Sequence, residues 1–133
     1  MDAMNGILNN VLTRLWKFCK AYLPVMMWGG LIYLLSSQSN LPGFDVGMAD
    51  YIFKKLSHMT VYAGFYFLLH RAVNMDNKSI KTNWYAPFIL TFLYASSDEI
   101  HQIFTPKRTP SPIDVGFDMI GASIAFLRIY GYI

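Results

Sequence analysis

The chain has 133 residues, of which 54% are hydrophobic and only 14% charged, against roughly 25% charged in soluble domains. That length allows one domain; a soluble domain this short could hardly bury so much apolar surface, so the composition indicates an integral membrane protein. The net charge of +3 is scattered, and no basic block, Gly-rich phosphate loop or RNP-like aromatic pattern points to nucleic-acid binding.

Residues 1–20 place Ile7, Leu8, Val11, Leu12, Leu15, Trp16, Phe18 and Cys19 on one helical stripe, with Asn9, Asn10, Thr13, Arg14, Lys17 and Lys20 opposite. An apolar stripe backed by a basic face suits an amphipathic helix in the membrane interface, or a cytosolic helical extension of the first span. A cleavable signal peptide is not expected, because the charged region is long and Ser36-Ser37-Gln38-Ser39 is a poor cleavage site. Cys19, the single cysteine, excludes an internal disulfide and a Cys-based zinc cluster and leaves a packing role.

The first span is expected at about 21–38, with Pro24, Gly29 and Gly30 inside it. Pro and Gly are commoner in membrane helices than in soluble ones, and the glycine pair could admit a close helix neighbour. A loop from Asn40 to about Asp50 follows, turning at Pro42-Gly43. The second span is expected at about 51–71. Its uninterrupted apolar part, Met59 to Leu69, is shorter than the roughly 20 residues a crossing needs. The helix must therefore draw Lys54, Lys55 and His58 into the outer layer of the bilayer. Lys55, His58 and Tyr62 share a face, His70 and Arg71 mark the far end, and residues 72–83 read as a polar loop with Asp76, Lys78 and Lys81.

The third span is expected at about 84–104, starting at the interface aromatics Trp84 and Tyr85. At 3.6 residues per turn, Tyr94, Ala95, Asp98, Glu99 and Gln102 fall on one face, with His101 at its border. Pro106, Pro110 and Pro112 keep the next loop short and stiff. The fourth span, about 113–130, aligns Asp114, Asp118, Gly121 and Ala125 on a stripe of carboxylates followed by small residues. The expected fold is all-α: a polytopic membrane protein with an amphipathic amino-terminal arm (1–20) and a four-helix transmembrane bundle (21–133).

Lys and Arg mark cytosolic segments. Arg14, Lys17 and Lys20 precede the first span; Arg71, Lys78 and Lys81 lie between the second and third, and Arg128 ends the fourth. A four-span topology puts all of these on one side, taken as cytosolic together with both termini. Lys54, Lys55, Lys107 and Arg108 fall on the other side. There they join Ser36, Ser37, Gln38, His58, Asp98, Glu99, His101, Gln102, Asp114 and Asp118 in one polar cluster beneath the outer surface. Ionisable residues at such depth mark a functional site by default.

From Ser36 to Gly121 the sequence resembles the VanZ family of small bacterial membrane proteins. The resemblance rests on Ser36-Ser37-Gln38-Ser39, Lys55-x-x-His58-x-x-x-Tyr62, Glu99-x-x-Gln102, Arg108 and Asp114-x-x-x-Asp118-x-x-Gly121. It implies a multi-pass protein of the bacterial plasma membrane. The family's founding member is associated with resistance to teicoplanin, a lipid-tailed glycopeptide. This chain has Asp118 where the family usually has Asn, which adds a negative charge.

Three readings of the cluster follow. In the first, it binds the headgroup of an amphiphile: a membrane lipid, a lipid-linked cell-wall precursor or a lipoglycopeptide. Lys55 and Arg108 would grip phosphate or carboxylate; Tyr62, Asp98, Gln102, Asp114, Asp118, Ser37 and Gln38 would complete the pocket with Glu99. In the second, Glu99 and His58 act as an acid/base pair of a hydrolase or transferase, Arg108 stabilises a developing anion, and Ser36, Ser37 and Ser97 are candidate nucleophiles. In the third, the charges only fix helix packing. No cofactor is expected. A metal is not expected either: no HExxH spacing is present, and Lys55 with Arg108 leaves the carboxylates in no need of a cation.

Overall fold

The apolar segments fold as α1 (Asp2–Ser36), α2 (Gly47–Val73), α3 (Tyr85–Gln102) and α4 (Pro112–Tyr130) in a computed structural model that describes residues 2–39, 47–76 and 83–133. No strand occurs among the described residues. The turn expected at Pro42-Gly43, and Lys78 and Lys81 of the loop after α2, lie outside them.

Helix ends follow local chemistry. Ser111 caps α4 by accepting from the Ile113 N–H at 3.2 Å, Pro112 fills its first turn, and Gly131 closes it in the left-handed region at φ 75°. After α3 the chain tightens into i→i+3 bonds, from Ile103 N to Ile100 O at 3.2 Å and Phe104 N to His101 O at 3.0 Å, before Pro106 prevents further helix.

The helix α1 continues through residue 20 without a break, so the expected arm is its first half. Residues 4–20 are exposed on every side, and burial starts at Ala21. From there Ala21, Val25, Gly29, Ile32 and Ser36 are buried at three- and four-residue intervals, one face of a helix packed against neighbours.

Contacts fix the directions. Trp28 of α1 donates to Val61 O of α2 at 2.9 Å, and Tyr94 of α3 donates to Gly29 O of α1 at 2.6 Å. His58 meets Asp118 and His70 meets Tyr130, so α2 and α4 run parallel. Ser37 meets His101 while Gly29 meets Tyr94, so α1 and α3 also run parallel. The result is an up-and-down array in which α4 lies most extensively along α2. Glycines permit the tightest crossings: Trp28 packs on Gly64, and the main chain of Met59 packs on Gly121. Gly29 is likewise covered, by Phe65 and Tyr94, whereas Gly30 faces open space. Asp114, Asp118 and Gly121 of the expected α4 stripe are buried, Ala122 is buried beside them, and Ala125 is half-buried.

The core holds Val25, Ile32, Phe65 and Leu69, but polar groups are buried beside them and large apolar side chains are left outside. Asp98, Glu99, Gln102, Asp114, Asp118, Ser36, Thr91 and His70 are buried, while Ile52, Phe53, Leu56, Ile89, Leu90, Phe92, Leu93, Ile113, Ile120 and Ile124 face outwards. Among the described residues, only α1, from Met4 to Ser36, is long and apolar enough by composition to cross a membrane. The other three expected spans do not meet that standard; each holds charged residues within the helix, among them Lys54, Lys55 and Arg71 in α2, Asp98 and Glu99 in α3, and Asp114, Asp118 and Arg128 in α4.

Candidate functional site

The charged residues gather where α1 and α3 end and α2 and α4 begin. Along the α2–α4 seam Lys55 forms an ion pair with Asp114. One turn further, His58 Nδ1 lies 2.9 Å from Asp118 Oδ1. The Lys55 ammonium is also flanked by the rings of Tyr51 and Phe117, 5.0 and 5.4 Å from their centroids, a favourable setting for a cation. Asp118 is fully buried, and its second oxygen has no hydrogen-bond partner among the described residues.

From α3, Glu99 accepts the backbone N–H of Ser111 at 2.7 Å, which ties α3 to the start of α4. Gln102 Nε2 donates to Asp98 Oδ2 at 3.2 Å and to Glu99 Oε1 at 3.4 Å, bridging two adjacent carboxylates. Asp98, Glu99 and Gln102 therefore share the buried face that helical spacing assigns them. His101 sits at its edge, with Nε2 3.0 Å from Ser37 Oγ and its ring against Tyr33.

Arg108 takes an unexpected partner. Its guanidinium donates from Nε to Gln38 O at 3.0 Å and from the fork to Leu35 O at 2.8 Å. It thus caps the carboxyl end of α1, where unpaired carbonyls and the negative end of the helix dipole favour a cation. Gln38 enters the site through its main chain. Ser97 does not join the cluster: it is exposed, and its hydroxyl donates to Tyr94 O at 2.7 Å. Ser36 and Tyr62 are buried, and the Ser36 hydroxyl has no hydrogen-bond partner among the described residues.

Two cavities open here. A small one of about 90 Å³ is lined by Ser36, His58, Tyr62, Asp98, Gln102 and Arg108. A larger one of about 780 Å³ brings together Lys54, Lys55, His58, Lys107, Arg108 and Asp114. One potential ligand atom each from His58, Glu99 and Asp114 lies within 4.8 Å of the others, the arrangement in the cluster able to hold a metal ion. Chemically, the site offers cations for an oxyanion at its mouth, and carboxylates with an imidazole deeper in.

A second polar group, not anticipated from sequence, lies at the opposite end. His70 Nε2 meets the Tyr130 hydroxyl at 3.4 Å, and Asn74 donates to His70 O at 3.0 Å and Asn83 O at 3.1 Å. Spacing within α2 places His70 and Asn74 on one face, but the partners come from a loop and from α4, which no local pattern reveals.

No curated protein and no solved structure gives a significant match to the chain. The family model described as VanZ/LLP1 matches residues 6–131, extending well beyond the Ser36–Gly121 stretch that carries the resemblance. With nearly the whole length matched, the chain belongs to the VanZ/LLP1 family.

Proposed function

We propose that the protein spans the bacterial plasma membrane four times, with both termini cytosolic, and binds the polar headgroup of an amphiphile in its outward-facing charged cavity. The observation that carries this is that carboxylates, amide and imidazole are buried beside the apolar core while many Leu, Ile and Phe side chains face outwards. Ionisable groups inside an apolar exterior face the bundle interior or a water-filled cavity, as membrane proteins arrange them. At about 1.5 Å per residue, α3 and α4 reach roughly 27–29 Å, close to the roughly 30 Å hydrocarbon thickness. The larger cavity carries Lys55, Lys107 and Arg108 at its walls, suited to phosphate or carboxylate on a lipid, a lipid-linked cell-wall precursor or a lipoglycopeptide. Binding of the last would connect the fold to glycopeptide resistance.

A second reading has an observation of its own. Lys55–Asp114 and His58–Asp118 close between α2 and α4, so the network also serves to hold the helices in register. Native mass spectrometry on gently purified wild type and Arg108→Ala separates the two. A co-purifying amphiphile on the wild type, lost from a variant that keeps its helical circular dichroism, supports binding. Folded protein that is empty in both forms, and stays empty with added lipid or teicoplanin, leaves the structural role.

A further inference from the structure

The expectation that no cation is needed assumed that Arg108 helps neutralise the buried carboxylates. Of Lys55 and Arg108, only Lys55 meets one, because Arg108 is turned to the carbonyls of α1. Asp98, Glu99, Asp114 and Asp118 are all buried. Buried charge at this density calls for close pairing.

His58, Glu99 and Asp114 supply the means. Their ligand atoms converge within 4.8 Å, so small side-chain movements would bring them to the roughly 2.0–2.2 Å that an ion of the zinc class requires. They come from α2, α3 and α4, which is why no linear ligand spacing announces them. One imidazole with two carboxylates suits borderline transition ions better than soft or strictly oxygen-seeking ones. Two of the three ligands are also oriented from behind. Asp118 engages His58 Nδ1 at 2.9 Å, leaving Nε2 as the coordinating nitrogen, a carboxylate–imidazole relay found behind metal-bound histidines. Glu99 is steadied by Ser111 N–H and by Gln102. The second Asp118 oxygen is fully buried and has no hydrogen-bond partner among the described residues, so the Asp118 carboxylate adds negative potential beside the imidazole it engages.

We propose that His58, Glu99 and Asp114 bind one divalent cation of the Zn²⁺ or Mn²⁺ type, with Asp118 orienting His58 and Lys55 competing for Asp114. The site opens on the larger cavity through His58, Lys55 and Asp114. A cation there would strengthen the grip on an oxyanion, but its binding does not depend on the headgroup reading.

The test uses full-length protein in detergent, treated with chelator and dialysed against Zn²⁺ or Mn²⁺ alone, with metal content and affinity measured. The expected result is one ion per chain. Glu99→Gln should weaken binding at least tenfold, and Asp118→Asn, which touches no metal, by roughly 10–100-fold. Lys55→Met should tighten binding by roughly tenfold, because a competing positive charge is removed, an effect a merely structural lysine would not produce. Circular dichroism identifies any variant that fails to fold. Absence of stoichiometric uptake of both ions by wild type, or uptake unchanged in Glu99→Gln and Asp118→Asn, overturns the proposal. Failure here leaves headgroup binding standing, since that is read from co-purified amphiphile.

Discussion

Replacing Gly121 by Ala tests the α2–α4 seam directly. A Cβ at Gly121 would lie 2.0 Å from the carbonyl oxygen of Met59 and 2.8 Å from its Cα, where ordinary contact begins at 3.4 Å. The obstacle is main chain within a helix, so it cannot rotate aside, and α4 must retreat by roughly 1.4 Å, the gap between those distances. Overpacking of this kind costs about 1–3 kcal/mol, with the upper end expected against backbone. The same retreat stretches the Lys55–Asp114 and His58–Asp118 contacts along the seam, each worth about 0.6 kcal/mol by the measured mean for interhelical polar contacts. Better helix propensity returns up to about 1 kcal/mol. The net expectation is a loss of about 2–3 kcal/mol, read by reversible denaturant titration in mixed micelles. Gly116→Ala, on the same helix with nothing within 4 Å of the added Cβ, should be neutral or slightly stabilising. Equal stability of the two variants would refute the close α2–α4 approach.

Tyr94→Phe deletes the donor to Gly29 O, bonded at 2.6 Å, and should cost about 1 kcal/mol in the same titration; no loss would mean that this bond does not hold α1 to α3. Membrane orientation is tested with Asn77→Cys in a Cys19→Ala background. That cysteine should resist an impermeant thiol reagent in intact cells, whereas Thr109→Cys, in the segment between α3 and α4, should react, and the reverse pattern would invert the topology.

Sequence periodicity carried far in α3, because one helix face there is polar and the other apolar. Asp98, Glu99 and Gln102 are buried together as a 3.6-residue repeat requires. It carried equally far for Lys55, His58, Asp114 and Asp118, whose spacing on parallel helices matches turn for turn. The partner of Arg108 was not legible, because carbonyl acceptors are identical at every residue and leave no mark in a sequence. Nor was the continuity of α1 through Lys20, since interfacial arm and helical extension share one amphipathic pattern. Four spans were inferred from apolar stretches, yet among the described residues composition alone qualifies only α1, because the charged residues of the other helices lower their mean hydropathy.

The helices are joined by two kinds of fastening, and these respond differently to mutation. Apart from the Ser37–His101 side-chain contact just past its end, the polar ties of α1 described above land on main-chain carbonyls: Trp28 on Val61, Tyr94 on Gly29, and Arg108 on Leu35 and Gln38. A carbonyl survives almost any substitution, so in each tie only the donor can be lost, and the accepting position can vary in all but size. The ties of α2 to α4 join side chain to side chain, so neither half keeps its meaning without the other. Positions 55 and 114, and 58 and 118, are therefore expected to change as matched pairs among relatives, whereas 28, 94 and 108 are free of any such correspondence.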